Sequence, residues 1–273
     1  MNNNLVNNPI SWEDAEIKLN SIYTEHWSRE KTPGPIISPP IFRGQSNSDW
    51  ELRTTLDRVL GSKTMLVEEY HRTLRIILNE ASSWSGKEWE IEEYEKYPFF
   101  NDFLPYIPIK TYEFMTYLRH HGFPSPLLDW SESPYVAVFF AFRNVPLDAK
   151  TVSIFVFQEH TGEGKVFESS RPYISGMGPN VRTHYRHFRQ QCEYTLCMQY
   201  VGKAKDDNRY LYKPHQLVFD KCVGDQDNLL EIRIPVDERP KVMRKLISMN
   251  ITSNSLFESE DGFIQGLAEK WFL

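Results

Sequence analysis

Residues 41–58 read IFRGQSNSDWELRTTLDR, and they are the most informative stretch of the chain. An apolar, strand-like run ends there at Arg43, whose planar guanidinium offers five donors that can hold a phosphate bidentately. Gly44 would let a backbone approach closely, and Gln45 adds a polar group beside the arginine. The segment therefore predicts an anion site at the end of an early strand. The competing interpretation is that Arg43 pairs with a buried carboxylate and fixes a turn.

A second polar segment covers residues 119–134, RHHGFPSPLLDWSESP, and leads into a helix. Ser133 suits the N-cap and Pro134 suits the first helical position. Residues 135–142, YVAVFFAF, are apolar on every face, which predicts a buried helix. The polar turn is therefore expected to be held on a rigid core element. Its candidate functional residues are His120, Asp129, Trp130 and Ser131.

These two segments resemble the FRG domain family, which is named for its aromatic-Arg-Gly motif. The resemblance extends over roughly residues 30–265 and implies one FRG-type domain over residues 1–273, with a helical insertion at 81–110. Further matching positions occur along the chain: Trp50, Leu52, Leu56 and Arg58, then His120–Gly122, Leu127–Ser131 and Ala137–Ala141, then Arg186, Arg189–Gln191, Tyr194 and Thr195, and last Ile234, Pro235, Leu246, Ser255–Phe257, Asp261 and Gly262. Cys192 departs from the glycine usual in the family, and Arg119 and Pro126 replace a glutamine and an arginine.

The order of the polar landmarks is also similar to that of ADP-ribosyltransferases, in which an arginine, a serine turn and a Gln-x-Glu motif follow one another. The resemblance implies that Arg43 holds the NAD diphosphate and that the turn at Ser131 supports the nicotinamide end. It implies that Arg43, Gln191 and Glu193 act in catalysis, with NAD as co-substrate. The residues that would bind NAD are Arg43, Gly44, Gln45, His120, Asp129, Trp130 and Ser131.

The proposed chemistry needs a fixed carboxylate. Cleavage of the bond between nicotinamide and ribose develops positive charge on the sugar, so a nearby carboxylate stabilises the transition state more than the ground state. Glu193 would be that group, and Gln191, two positions earlier on the same side of a strand, could orient the acceptor. Glu193 could equally be an exposed strand carboxylate, with Glu132 and Asp129 as the next candidates.

Two of the candidate residues have structural alternatives. His120 could bind the ribose or act on a leaving group, or it could be a structural histidine that hydrogen-bonds Asp129. Trp50 and Trp130 could stack on a base or on nicotinamide, although large aromatic side chains more often close a core.

Composition limits the function classes. The chain has 273 residues and a formal net charge of −6, which argues against a protein that coats nucleic acid. Residues 171–189 nevertheless combine basic and aromatic side chains, which favours a nucleic acid such as RNA over protein as the acceptor. The alternative is an ordinary basic strand flank.

The cysteine spacing and the lengths of the apolar runs indicate whether the protein binds a metal, enters a membrane or is exported. The three cysteines, Cys192, Cys197 and Cys222, form no Cys-x-x-Cys motif, and the sequence has no His-Glu-x-x-His, so no metal is expected. The sequence shows no signal peptide and no run of about 20 apolar residues, so we expect a cytoplasmic protein without a membrane partner.

Strand signals concentrate late and helix signals early and at the end, which predicts an α+β fold rather than repeated βαβ units. The resemblance makes this a split, mixed or antiparallel sheet of ADP-ribosyltransferase type with an N-terminal helical portion. It implies a toxin or anti-phage effector that an inhibitory antitoxin-type protein would restrain. The competing class is a non-catalytic module that senses a phosphate or nucleotide, or binds a partner.

Overall fold

An antiparallel β-sheet lies at the centre of the fold, with helices packed against it. The computed structural model describes residues 8–29, 36–94, 99–100, 104–105, 107–162, 165, 171–202, 209–219 and 226–272. This architecture confirms the predicted α+β class and the N-terminal helical portion. All strand pairs in the described residues are antiparallel, so the sheet is of the antiparallel kind.

The helices are α1 (Trp12–Ser28), α2 (Thr55–Leu60), α3 (Val67–Ser85), α4 (Ile109–His120), α5 (Pro134–Arg143), α6 (Tyr185–Arg189), α7 (Gln216–Phe219), α8 (Arg239–Ser248), α9 (Ser253–Phe257) and α10 (Glu260–Phe272). The strands are β1 (Ile41–Gln45), β2 (Phe99–Phe100), β3 (Leu104–Pro105), β4 (Leu128–Ser131), β5 (Thr151–His160), β6 (Tyr173–Gly176), β7 (Cys192–Tyr200), β8 (Tyr210–Tyr212) and β9 (Gln226–Pro235). The main sheet has the order β6-β7-β4-β1-β5-β9, with β8 also paired to β7, while β2 and β3 pair with each other.

Local sequence signals explain where several helices begin. The Ser11 hydroxyl accepts a hydrogen bond from the backbone N–H of Asp14 (3.2 Å), so the predicted cap of α1 is confirmed. Ser133 caps α5 in the same way, and Pro134 is its first residue, as predicted. Helix α5 is buried on nearly every face, which agrees with its uniformly apolar sequence.

The core is divided between the two faces of the sheet. On one face, α1, α5 and α8 pack over β1, β5 and β9 through side chains such as Phe42, Phe139 and Ile154. On the same face, α3 and α4 pack over β6, β7 and β8 through side chains such as Tyr112 and Tyr194. On the opposite face, β4, β5 and β7 form a third cluster with α7; it contains Leu52, Leu128, Trp130, Phe155, Phe157, Ile174, Cys197, Val218 and Phe219.

Helix α5 lies directly on β1 at Gly44. A Cβ atom at this position would be 1.8 Å from the carbonyl oxygen of Ala137 and 2.6 Å from the amide nitrogen of Ala141. Glycine is therefore required because the helix backbone occupies the space of a side chain. The close approach expected at Gly44 is made by α5.

The helical insertion predicted at residues 81–110 covers the end of α3 at Ser85 and the start of α4 at Ile109, and the described residues between these two helices form no α-helix. Part of that insertion, residues 95–98, 101–103 and 106, lies outside the described residues. The apolar sequence Leu217-Val218-Phe219 predicts a strand, and this prediction is wrong because the three residues belong to α7. A short apolar run does not distinguish a strand from a buried helical turn.

No helix in the described part of the chain is both long enough and apolar enough to cross a bilayer.

Candidate functional site

A split in the sheet places Arg43 at a cleft. Strand β1 pairs with β5 over five residues, but with β4 it has the single pair Phe42 opposite Ser131. Beyond this pair, Nη1 of Arg43 donates a hydrogen bond to the backbone carbonyl oxygen of Asp129 (2.7 Å). The side chain of Arg43 thus bonds the backbone of β4 at the point where the pairing of β1 with β4 stops.

The cleft at this split has a volume of about 360 Å³, within the range typical of ligand sites. Four arginines line it: Arg43, Arg58, Arg119 and Arg186. Asp129 is the single carboxylate among the described lining residues. The local charge is therefore strongly positive although the whole chain carries −6. Three aromatic side chains also line the cleft: Trp50, Phe140 and Phe257.

Arg43 has an incomplete set of partners. Its buried Nε–H donates to no acceptor in the described residues, and no described carboxylate oxygen lies within 4.0 Å of the guanidinium. Burial is the main cause that lowers the pKa of Arg43 to about 10; the charges of Arg119 and Arg58 act in the same direction, and that of Asp129 opposes them. The side chain stays cationic at neutral pH. The described residues therefore do not support the interpretation that Arg43 pairs with a buried carboxylate and fixes a turn.

Asp129 and Arg119 form an ion pair at the cleft wall. Nη2 of Arg119 contacts Oδ2 of Asp129, and both side chains are partly buried. Nε of Arg119 is buried without a partner in the part of the chain described, like Nε of Arg43. Two arginines therefore keep unused donors beside one cleft, which is the arrangement an anion would complete. Sequence reasoning gave Arg119 no role, because its position at the end of α4 carries no local signal of an ionic partner.

Gln45 and Ser131 line the cleft, but other protein atoms already use their polar groups. The side-chain amide of Gln45 donates to the backbone carbonyl of Trp50. The Ser131 hydroxyl donates to the carbonyl oxygen of Gln190 (2.7 Å) and accepts from the N–H of Ser133 (3.1 Å). These side chains fix the loops around the cleft rather than offering free donors.

The structure separates Gln191 from the strand that carries Glu193. Gln191 is exposed and has a left-handed backbone (φ 48°) before β7 begins at Cys192. Its carbonyl oxygen accepts a hydrogen bond from the N–H of Glu132 (2.9 Å). The prediction that Gln191 and Glu193 lie on one side of the same strand is therefore wrong, because the chain turns at Gln191.

Glu193 lies on the same face of the sheet as Arg43. Trp130 pairs with Glu193 across β4 and β7, and continuing the register from the Phe42–Ser131 pair sets Arg43 opposite Trp130. The three residues form a row on one face of three adjacent strands, and the split between β1 and β4 lies between Arg43 and Trp130. Asp129 and Ser131 belong to the opposite face. Neither Glu193 nor Gln191 is among the described residues that line the cleft.

The carboxyl group of Glu193 is in an unusual electrostatic setting. Burial, together with charge repulsion from Glu132 and a hydrogen bond to it, raises the pKa of Glu193 to about 8. Glu193 is thus not the exposed strand carboxylate of the alternative interpretation. At neutral pH this carboxyl group is mostly protonated.

Trp130 fills the space between Arg43 and Glu193. The indole is 3% exposed, packs against Phe157 with ring centroids 5.3 Å apart, and donates from Nε1 to the Thr195 hydroxyl (2.9 Å). It therefore closes the core, as one of the two interpretations expected. Trp50 differs, since it is 50% exposed at the edge of the cleft and available for stacking.

His120 belongs to a cluster beneath the cleft. Its Nε2 lies 2.8 Å from the hydroxyl of Tyr194, so the expected hydrogen bond to Asp129 is not formed. The Tyr194 hydroxyl is also 3.4 Å from Nδ1 of His187. The ligand-capable atoms of His120, His187 and Cys192 lie within 4.8 Å of one another, a grouping the sequence spacing did not reveal. Burial lowers the pKa of His120 to about 4, so the imidazole is neutral.

Only some side chains of the basic and aromatic stretch at 171–189 are exposed on the surface. His187 and Tyr173 are buried, whereas Tyr185 is 73% and Phe188 is 61% exposed on α6. Arg186, between them in sequence, lines the cleft and donates from Nε to the carbonyl oxygen of Phe257 (3.1 Å).

The fold and the cleft define an α+β protein with a cationic cleft at a split in an antiparallel sheet. Residues 38–150 match the model of the FRG domain family. The matched region supplies β1, α4, β4 and α5, whereas the wall formed by Arg186, Gln190 and Phe257 follows it in sequence. No curated protein and no solved structure matches the chain.

Proposed function

We propose that this protein is an ADP-ribosyltransferase that transfers ADP-ribose from NAD to a macromolecular acceptor. The observation that carries the proposal is the row formed by Arg43, Trp130 and Glu193 on one face of the sheet. It joins an arginine that has an unused donor to a partly buried carboxyl group. The order of the two groups along the chain is the one that the resemblance to transferases implies.

Arg43 binds the NAD diphosphate in this proposal. A diphosphate fits the cleft because its charge is matched by Arg58, Arg119 and Arg186 around Arg43. The unused Nε donors of Arg43 and Arg119 would each gain a charged acceptor. Asp129 positions Arg119 through their ion pair rather than contacting the anion itself, because it is negatively charged.

Glu193 stabilises the positive charge that develops on the ribose when nicotinamide leaves. The carboxyl group must be ionised for this task, and a raised pKa means that the ionised form is poorly solvated and gains much from a nearby cation. A developing oxocarbenium ion supplies that cation in the transition state. Glu132 tunes the step by holding the pKa of Glu193 high.

The other predicted NAD-site residues support the cleft. Gly44 allows α5 to pack on β1, and Gln45 and Ser131 fix the loops beside Arg43. Trp130 separates the diphosphate end from Glu193, and His120 forms part of the cleft wall. Gln191, exposed in the turn before β7, orients the acceptor from the solvent side.

A nucleic acid such as RNA is the favoured acceptor. Tyr185 and Phe188 expose their rings next to Arg186, and exposed aromatic and arginine side chains together bind single-stranded nucleic acid by stacking and charge. In keeping with the resemblance, the protein would work in the cytoplasm as a toxin or anti-phage effector that an antitoxin-type protein inhibits.

The second candidate is a non-catalytic module that senses a phosphate or nucleotide. It is favoured by the observation that Glu193 and Gln191 are not among the described cleft-lining residues, while the arginines are. In this case Arg43 recognises the anion and no bond is cleaved.

The test is to incubate the purified protein and a cell extract with NAD labelled in its ADP-ribose part, and to separate RNA, DNA and protein fractions. Arg43→Ala and Glu193→Gln are run beside Arg72→Ala and Glu25→Gln, which change exposed residues of α3 and α1 that do not line the cleft. Label on one fraction with the parent and both controls, and its loss in the two site variants, supports transfer and names the acceptor class. No label and no nicotinamide release from folded parent protein favours the sensing module.

A further inference from the structure

Three side chains from two distant parts of the chain, one near residue 120 and two near residue 190, bring metal-binding atoms together at the cleft. His120 is the last residue of α4, His187 lies in α6, and Cys192 begins β7. Their ligand-capable atoms all lie within 4.8 Å of one another, and two of the three residues are fully buried. Tyr194, two residues after Cys192 on the same face of β7, points its hydroxyl at both imidazoles (2.8 and 3.4 Å). We propose that this cluster binds a zinc ion.

The donor set suits zinc better than other common metals. Two imidazoles and one thiolate are borderline and soft ligands, which exclude calcium and magnesium as preferred ions. A fourth position completes the tetrahedron that Zn²⁺ adopts, and the Tyr194 hydroxyl oxygen is the nearest group to fill it. No other group of three such residues is found in the part of the chain that the structure describes.

The hydrogen bond of His187 prepares its ring for a metal. Nε2 of His187 lies 2.9 Å from the carbonyl oxygen of Pro179, and since a carbonyl only accepts, Nε2 must carry the proton. In the neutral ring Nδ1 is then bare, and Nδ1 is the atom that faces Tyr194. Metal-binding histidines commonly donate their second ring N–H to a carbonyl in this way.

The geometry requires a modest adjustment. Zinc bonds of about 2.0–2.1 Å to nitrogen and about 2.3 Å to sulfur set tetrahedral donors roughly 3.3–3.6 Å apart. The ligand atoms of the three side chains now lie up to 4.8 Å apart, so the most distant pair must approach by about 1 Å. Helix α6 is five residues long and carries His187, so it can shift as a unit toward β7. The thiol of Cys192 would lose its proton to solvent on binding, because a coordinating thiol binds as the thiolate.

Such an ion would join α4, α6 and β7 at one wall of the cleft. His120 and Cys192 both line the cleft, so the metal would fix the wall that faces Arg43. This role is structural and is independent of the proposed transferase activity. Sequence spacing predicts no metal because 187 − 120 = 67 residues separate the two histidines and 192 − 187 = 5 separate the second histidine from the cysteine.

The test measures zinc in the untagged full-length protein, purified without chelator, by elemental mass spectrometry. The protein is then loaded with Co²⁺ in place of Zn²⁺ and its absorption spectrum is recorded. We expect about one zinc per chain, and a cobalt spectrum with tetrahedral d–d bands and a thiolate-to-cobalt charge-transfer band.

Cys192→Ser is the critical variant and Cys197→Ser is its control, because both cysteines are buried and only Cys192 belongs to the cluster. We expect Cys192→Ser to lose the charge-transfer band and at least about tenfold in zinc affinity, while Cys197→Ser keeps both. If Cys192→Ser does not fold, the zinc content and cobalt spectrum of the parent decide. Parent protein without zinc and without a tetrahedral cobalt spectrum overturns the proposal and leaves a hydrogen-bonded cluster.

Discussion

The contact between β1 and α5 yields the sharpest prediction, the substitution Gly44→Ala. The added Cβ would lie 1.8 Å from the carbonyl oxygen of Ala137, and real Cβ atoms keep at least 3.0 Å from such neighbours. Helix and strand must therefore move apart by about 3.0 − 1.8 = 1.2 Å. Overpacking of a core costs about 1–3 kcal/mol or more, and this case belongs at the upper end because the obstructing atoms are backbone. We expect a loss of about 3 kcal/mol in the free energy of unfolding.

The assay is thermal unfolding followed by circular dichroism. A loss of about 3 kcal/mol lowers Tm by roughly 6–12 °C for a chain of this size. Gly86→Ala is the control, since Gly86 caps α3 in a left-handed conformation (φ 66°) with no atom within 4 Å of an added Cβ. It should cost about 1 kcal/mol from backbone strain alone. Equal shifts for the two variants would refute the argument that α5 occupies the side-chain space of Gly44.

Four further predictions concern the row and the cleft. Trp130→Phe removes the hydrogen bond to Thr195 and leaves that hydroxyl with one partner fewer, so unfolding in urea should show a loss of about 1–2 kcal/mol. Because the pKa of Glu193 is raised to about 8 and the ionised form is required, the transfer rate should increase as pH rises through about 8, and Glu132→Gln should move the midpoint of the rate profile to lower pH. The same raised pKa contributes stability that is fully present below the unfolded value near 4.5 and is lost as pH rises through about 8, so Glu193→Gln should flatten this part of the stability–pH curve. Arg58→Ala should weaken pyrophosphate binding about tenfold in calorimetry, with a smaller effect at high salt.

Local signals predicted the elements that carry the site. The cap at Ser133, the buried helix after it and the strand that contains Arg43 are all encoded within about ten residues, the range over which caps and periodicity act. The apolar run indicates that this strand ends at Arg43, but it continues to Gln45, so Arg43 lies at its centre. Gly44 was recognised as a position of close approach, but its neighbour α5 lies almost one hundred residues away, since 137 − 44 = 93. Only the packed structure shows which backbone approaches.

The parts that the sequence did not predict depend on long-range pairing. The ion pair of Arg119 with Asp129 and the meeting of His120 with Tyr194 follow from the way α4 returns to the sheet. The left-handed turn at Gln191 breaks the two-residue alternation that would have set it beside Glu193, and glutamine gives little warning of such a conformation.

The central claim is that Arg43 binds NAD and Glu193 assists its cleavage. The most direct measurement compares NAD binding by calorimetry with nicotinamide release by chromatography, for the parent protein, Arg43→Ala and Glu193→Gln. The account predicts that the parent binds NAD and releases nicotinamide and that Arg43→Ala binds NAD poorly. It also predicts that Glu193→Gln binds NAD as the parent does but releases nicotinamide at least about 100-fold more slowly. Nicotinamide release by Glu193→Gln at the parent rate, or a parent protein that binds NAD without cleaving it, would contradict the account.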